Sequence, residues 1–251
     1  MDLGLDGNVY LITGGTRGLG RATAQVLVAE GARVVVSSRE PRSVLTAAAE
    51  LRTDRALGVP ADNADPSSAE RLVAAAVARF GRLDGALISV GGPPRGTVAD
   101  ITDEQWRGAF ESVFLGAVRL ARAVAHELPL RGGSIAFVLS SSVKQPLTNL
   151  AISNGLRPGL AMVAKTMADE LGNRSIRVNG LLPGSMNTER MAEVAATRTA
   201  ADDERARAAI PLGRYGEPEE FGRVAAFVLS PAASYLTGAM IPIDGGMIRS
   251  L

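Results

Sequence analysis

Short apolar runs alternate with stretches of helical periodicity along the whole chain. Runs at 8–13, 33–37, 56–60, 84–90, 133–139, 176–182 and 240–243 predict buried strands. Between them, apolar residues recurring every three or four positions predict helices over 18–30, 42–53, 66–80, 103–128, 154–172 and 217–229. This alternation predicts one α/β domain spanning 1–251. It would be a Rossmann-like, doubly wound parallel sheet of about seven strands with helices on both faces. The segment 187–209 breaks the rhythm. It is rich in Ala, Arg and Glu, and lies between Pro183-Gly184 and the turn Pro211-Leu212-Gly213. Ligands in such sheets bind beyond the carboxyl ends of the strands, so one or two short helices here would form a flap over a site. A plain surface excursion is the other reading. Pro158, flanked by Gly155 and Gly159, predicts a kink or late start in the helix over 154–172, unless it occupies a first turn without distortion.

The most informative stretch is VYLITGGTRGLG, residues 9–20. Four apolar residues, Val9 to Ile12, run into Thr13-Gly14-Gly15-Thr16-Arg17-Gly18-Leu19-Gly20, and a helical pattern follows. Glycines at 14, 18 and 20 suit a tight turn, close backbone approach to a pyrophosphate, and close packing of helix on strand. The helix N-terminus behind them offers unpaired N–H groups to an anion. The second strand ends Ser37-Ser38-Arg39. An acidic residue there would hold the ribose diol of NAD, whereas Ser38 and Arg39, with Arg17 in the glycine loop, suit a dianionic 2′-phosphate. The expected cofactor is therefore NADP(H). Asp62-Asn63, after the third strand, is placed to meet the adenine edge or to serve as a turn.

Composition narrows the partners. A net charge of +1 gives no reason to expect nucleic acid or a membrane surface, and no apolar run reaches membrane-spanning length. Of 27 basic residues two are lysines, Lys144 and Lys165, leaving 25 arginines. Zero cysteines exclude disulfides and thiolate chemistry, with a cytoplasmic location the default. The single histidine, His126, at a helix end, argues against a histidine metal site and suits a helix C-terminus.

The chain resembles the short-chain dehydrogenase/reductase family, especially its 3-oxoacyl-acyl-carrier-protein reductase-like members, over essentially its full length. The matching motifs are TGGTRGLG, Asp62-Asn63, IRVNGLLPG at 176–184, PLGRYGEPEE at 211–220 and IPIDGG at 241–246. The resemblance implies that Pro183, Gly184, Met186 and Thr188 cradle the nicotinamide end. It implies a small-molecule substrate and a homo-oligomer, tetrameric or dimeric.

The catalytic half departs from the family. Asn-Asn-Ala-Gly after the fourth strand reads Ile88-Ser89-Val90-Gly91, keeping only the glycine, and the catalytic Asn falls on Val113. The catalytic Ser matches Ser140, but the expected Tyr is Ser153 and the expected Lys is Arg157. A serine is a far weaker acid than a tyrosine, and arginine does not release its proton. Spacing of four keeps Ser153 and Arg157 on one helix face. Ser140 and Ser153 are thus expected to hold the substrate oxygen. Arg157 is expected to bind the nicotinamide ribose or to clamp an oxyanion. Lys144 is a candidate acid or base if the fold buries it beside Arg157; otherwise it is a solvated loop residue. Lys165 is expected to meet water or a carboxylate. The loop Gly91 to Gly96 would wall the substrate pocket.

Three functions fit this pattern. The first is an NADP(H)-dependent oxidoreductase acting on a carbonyl or secondary alcohol, with a non-standard proton-handling site. The second is a catalytically degenerate NADP(H)-binding or regulatory protein. The third is a non-redox enzyme, such as a cyclase, lyase or isomerase, on the same fold.

Overall fold

In a computed structural model, described at residues 2–129, 132–195 and 199–250, seven strands join one parallel sheet in the order β3-β2-β1-β4-β5-β6-β7. They are β1 (Val9–Thr13), β2 (Arg33–Ser38), β3 (Ala56–Pro60), β4 (Gly85–Ser89), β5 (Gly133–Val138), β6 (Ile176–Pro183) and β7 (Met240–Ile243). Each lies within two residues of its apolar run. Such runs are continuous because both faces of the sheet are covered. One core layer packs α3 (Ser68–Phe80), α5 (Gly116–Glu127) and α6 (Ala151–Leu171) on one face. On the other face are α1 (Gly18–Ala29), α2 (Pro41–Leu51) and α9 (Pro218–Leu229).

Strand order reverses between β1 and β4, so the crossovers leave in opposite directions and open a crevice at the carboxyl edge. Thr13 holds that edge together. Its Oγ1 donates to the Ser89 carbonyl at 2.8 Å and accepts from the Ser89 N–H at 2.9 Å. At the opposite end, the buried Asp84 carboxylate accepts the Val9 N–H at 2.9 Å and two bonds from Arg82 at 2.6 and 2.8 Å. The entry to β1 is thereby anchored to the edge of β4.

Two elements differ from the sequence expectation. The helix expected over 103–128 is α4 (Asp103–Ala109), a π-helical segment at Phe110–Leu115, and then α5. The sixth helix starts at Ala151 and runs unbroken to Leu171 with Pro158 inside it, which overturns the late start and the first-turn placement. Gly155 and Gly159 instead face aromatic rings. A Cβ on either would lie 3.0 Å from Trp106 or Phe114, so their small size lets α6 press against α4 and the π segment. Segment 187–209 carries two short helices, α7 (Glu189–Ala195) and α8 (Ala200–Ala208), with 196–198 outside the described residues.

The Asp84 cluster generates a stability test. Asp84→Ala leaves the Val9 N–H and the Arg82 guanidinium without their shared acceptor, a loss of about 2–3 kcal/mol. Urea unfolding should show a lowered midpoint with an unchanged slope, and Asp84→Asn, which keeps one acceptor, should lose less.

Candidate active site

The glycine turn takes the geometry its spacing implies. Gly14 and Gly18 adopt φ of +60° and +53°, the left-handed region that disfavours side chains. A Cβ on Gly20 would collide with the Gly14 carbonyl, so α1 can begin this close to the turn only with glycine there. Leu19 packs partly buried on the α1 side of the core, and Thr16 is half-buried in the loop. Gly18 lies against Thr188, whose methyl would sit 3.5 Å from a Cβ at 18, so the loop after β6 closes over the turn.

At the end of β2 the Ser38 hydroxyl is buried and has no hydrogen-bond partner, the one such side-chain atom among the described residues. Buried polar groups are nearly always paired, so this oxygen fits a polar group supplied from outside the chain. Arg39 beside it is exposed. Arg17 does not turn towards Ser38. It reaches Glu189 and Glu193 of α7 at 3.6 and 3.8 Å, the acids that face it across the crevice. The two guanidinium groups expected together are therefore apart in this structure. Asp62 takes the turn role, its Oδ1 accepting the Ala64 N–H at 3.0 Å. The Asn63 carbonyl sits where a Cβ on Gly116 would fall, which fixes the loop after β3 against α5.

On the other side of the crevice, β6 delivers Pro183 and Gly184, and the Gly184 N–H donates to the Ile243 carbonyl at 3.0 Å. Met186 is buried, and the loop it belongs to pairs with Gly216. Thr188 accepts the Met191 N–H at 3.3 Å and so starts α7. A cavity of about 540 Å³, lined by Ser185, Met186, Leu212 and Gly246 among others, lies on the β7 side of this loop.

The serines after β5 form a compact set. Ser140 Oγ accepts the Ser142 N–H at 3.1 Å, capping a single 3₁₀ turn at Ser141–Val143 and keeping its own proton free to donate. Ser142 Oγ and Ser153 Oγ are hydrogen-bonded at 3.1 Å, and both residues are buried. Ser142 was not singled out by its sequence position; its place in the Ser140–Ser142 run was the available signal. Arg157, one turn along α6 from Ser153, is 7% exposed and donates from Nη1 to the Val138 carbonyl at 2.8 Å. Burial, and then the neighbouring Arg190, lower its pKa to about 10, so it remains a cation through neutral pH.

Lys144 ends the 3₁₀ turn with its side chain exposed, so the burial beside Arg157 that would make it an acid or base is not found. Lys165 Nζ donates to the Gly238 carbonyl at 3.0 Å rather than to a carboxylate. His126 is exposed in the last turn of α5. Val113 is buried in the π segment.

The pocket walls are tied down. Gly96 exchanges backbone bonds with Asn149 and Ala151 at 3.0 and 3.2 Å, joining the loop after β4 to the start of α6. The Asn154 amide clasps Leu147, accepting its N–H at 3.0 Å and donating to its carbonyl at 2.9 Å. Gly91 has open space around it on the crevice side.

Comparison with known proteins bears on this arrangement. The sequence model of the family described as enoyl-(acyl carrier protein) reductase matches residues 14–248. The chain is 35% identical to trans-4-hydroxycyclohexanecarboxylate dehydrogenase of Sinomonas cyclohexanicum over 246 residues, covering 95% of this chain and 92% of the relative. It is 30% identical to the 3-oxoacyl-[acyl-carrier-protein] reductase of Salmonella typhimurium over 250 residues, covering 98% and 99%. L-sorbose reductase from Gluconobacter frateurii, solved in complex with NADPH and L-sorbose, matches with a TM-score of 0.92 and 31% identity across 100% of both chains. On this match of sequence and architecture, the chain belongs to the short-chain dehydrogenase/reductase family of oxidoreductases.

Proposed function

We propose that the protein is an NADP(H)-dependent oxidoreductase that interconverts a carbonyl and a secondary alcohol, with serines in place of the usual proton-handling pair. The observation that carries the cofactor reading is the orphaned Ser38 hydroxyl beside the free Arg39 guanidinium, which together complement a phosphate on the adenosine ribose. The NADPH complex of the sorbose reductase supports it. Gly14, Gly18 and Gly20 would receive the pyrophosphate at the N-terminus of α1, and Pro183, Gly184, Met186 and Thr188 would flank the nicotinamide. Gly91 and Arg157 would meet the nicotinamide-side ribose.

When bound, the nicotinamide exchanges a hydride with the substrate carbon. The chain's own task is the charge and the proton at the substrate oxygen. Arg157, a cation through neutral pH, places a positive charge beside that oxygen as it turns negative, in a site where burial strengthens the interaction. Ser153 donates a proton to it, Ser142 passes its own proton to Ser153 through their shared hydrogen bond and takes one in turn from solvent water, and Ser140 steadies the oxygen with a second donor. A relay of hydroxyls is slower than a positioned acid near neutral pKa, and the arginine compensates in part. The helices of 187–209 would cover the substrate from above. Phe110 is exposed and stacks on Phe114, which packs against Gly159 one turn before the exposed Met162. This apolar face supports assembly as a homo-oligomer.

Equilibrium titration of NADPH and NADH tests the cofactor assignment. NADPH should bind at least about tenfold more tightly, and Arg39→Ala should remove most of that preference while leaving NADH unchanged. Equal affinity for the two would sink the assignment.

The proton relay gives a separate expectation. Ser153→Ala should reduce kcat by about 10²-fold or more with little change in NADPH affinity. The pH profile of kcat should be flat from pH 6 to 9, because no relay member titrates there. Activity should then fall as pH rises through about 10, where Arg157 loses the proton that gives it charge. A bell with a limb near neutrality would exclude the serine relay.

A further inference from the structure

The proposed cofactor and substrate oxygen account for the cations over β1 and β2 and for Arg157, and leave two neighbours of Arg157 on the other half of the sheet's edge unexplained. Its phosphates belong over β1 and β2, at the glycine turn and at Ser38-Arg39. Three further guanidinium groups lie over β4, β5 and β6. Arg95 is on the loop after β4, Arg157 is on the helix after β5, and Arg190 is on α7, after β6. Among the described residues, none of the three forms an ion pair with a carboxylate. Like charges held together without a directly paired carboxylate are costly, more so where water is excluded.

Arg190 is the centre of this group. Its Nη2 donates to the Pro93 carbonyl at 3.4 Å, bridging α7 and the loop after β4 across the mouth of the pocket. Its guanidinium occupies the space where a Cβ on Gly92 would fall, so that loop can accept it only because residue 92 is glycine. Partial burial and the nearby Arg95 and Arg17 lower its pKa, with Glu193 acting in the opposite direction. Arg190 in turn lowers the pKa of the buried Arg157. Arg190 therefore stands between Arg95 on the loop after β4 and the buried Arg157, which lies one turn from Ser153 on α6.

Resting on the oxidoreductase reading above, we propose that the substrate carries an oxyanion, a carboxylate or a phosphate, held at the pocket mouth by Arg190 and Arg95 while its carbonyl or hydroxyl carbon faces Ser153. A planar fork of donors suits either oxyanion, and neutralising this cluster would supply binding energy that a neutral ketone lacks. Selectivity for acids over their esters follows, because the ester leaves the guanidinium groups unpaired.

The experiment measures binding as well as turnover. Calorimetric titrations of 2-oxobutanoate, its methyl ester, dihydroxyacetone phosphate and dihydroxyacetone are run on the protein with and without NADPH. Steady-state NADPH oxidation is followed with the same four compounds. At least one charged compound should bind or react at least tenfold better than its neutral counterpart, and comparison of the acid with the phosphate identifies the oxyanion. In Arg190→Leu and Arg95→Leu, which spare the serines and Arg157, that preference should fall at least tenfold with NADPH affinity within twofold of wild type. Arg190→Lys should restore part of it. Three results would overturn the proposal: equal handling of charged and neutral partners, variants that leave the preference intact, or variants whose loss is in NADPH affinity instead. The last would assign the guanidinium groups to the cofactor's pyrophosphate. Failure of the protein to bind NADPH at all would defeat the oxidoreductase reading, while the titrations without NADPH would still decide whether the arginines select an oxyanion.

Discussion

The architecture depends on how β1 leaves the sheet. A strand that breaks off early to form a turn strands the ladder groups of its neighbour, and a buried unpaired N–H or carbonyl costs about 1–3 kcal/mol. The Thr13 side chain removes that cost by making both bonds with Ser89 that a further backbone residue would have made. The chain is then free to turn through Gly14, re-enter as α1 at Gly18, and leave the crevice open at the point where strand order reverses. The glycine turn, the loop after β6 that meets it, and the serines after β5 all take their positions from that opening.

Around the crevice the chemistry is divided. The half over β1 and β2 offers one orphaned hydroxyl and exposed cations, which suit a highly charged ligand in contact with water. The half over β4 to β6 offers buried hydroxyls paired with one another and a buried arginine whose sole described bond is to a carbonyl. A histidine or lysine could adjust to such a place by releasing its proton near neutral pH; arginine retains its charge there. The half over β4 to β6 is consequently a region of positive potential through neutral pH rather than one tuned by titration. Under the proposed function it would stabilise an oxyanion differently from an acid poised near neutrality.

Much of this was legible in the sequence because its signals are local. Seven apolar runs named the seven strands, and the glycine spacing named the turn, because one face pattern and one backbone geometry decide each. The π segment at Phe110–Leu115 was not legible, since its apolar spacing passes for ordinary helix. Pro158 misled because a helix can lose one internal hydrogen bond when Trp106 and Phe114 pack against its flank. At the site, Ser140, Ser153 and Arg157 could be placed by spacing from known motifs. Arg190 could not, because its partners Gly92 and Pro93 are almost a hundred residues distant and no pattern links them. Lys144 drew attention through its rarity and its place after the serine run, and neither carries information about burial.

The hydroxyl pair at Ser142 and Ser153 also limits what position 153 can hold. Both residues are almost wholly enclosed, and their oxygens lie one hydrogen bond apart. An aromatic ring introduced at 153 would enter a space already closed by the 3₁₀ turn, and such overpacking costs typically about 1–3 kcal/mol. A large side chain there therefore requires coordinated replacements in the turn, so the packing itself keeps position 153 small.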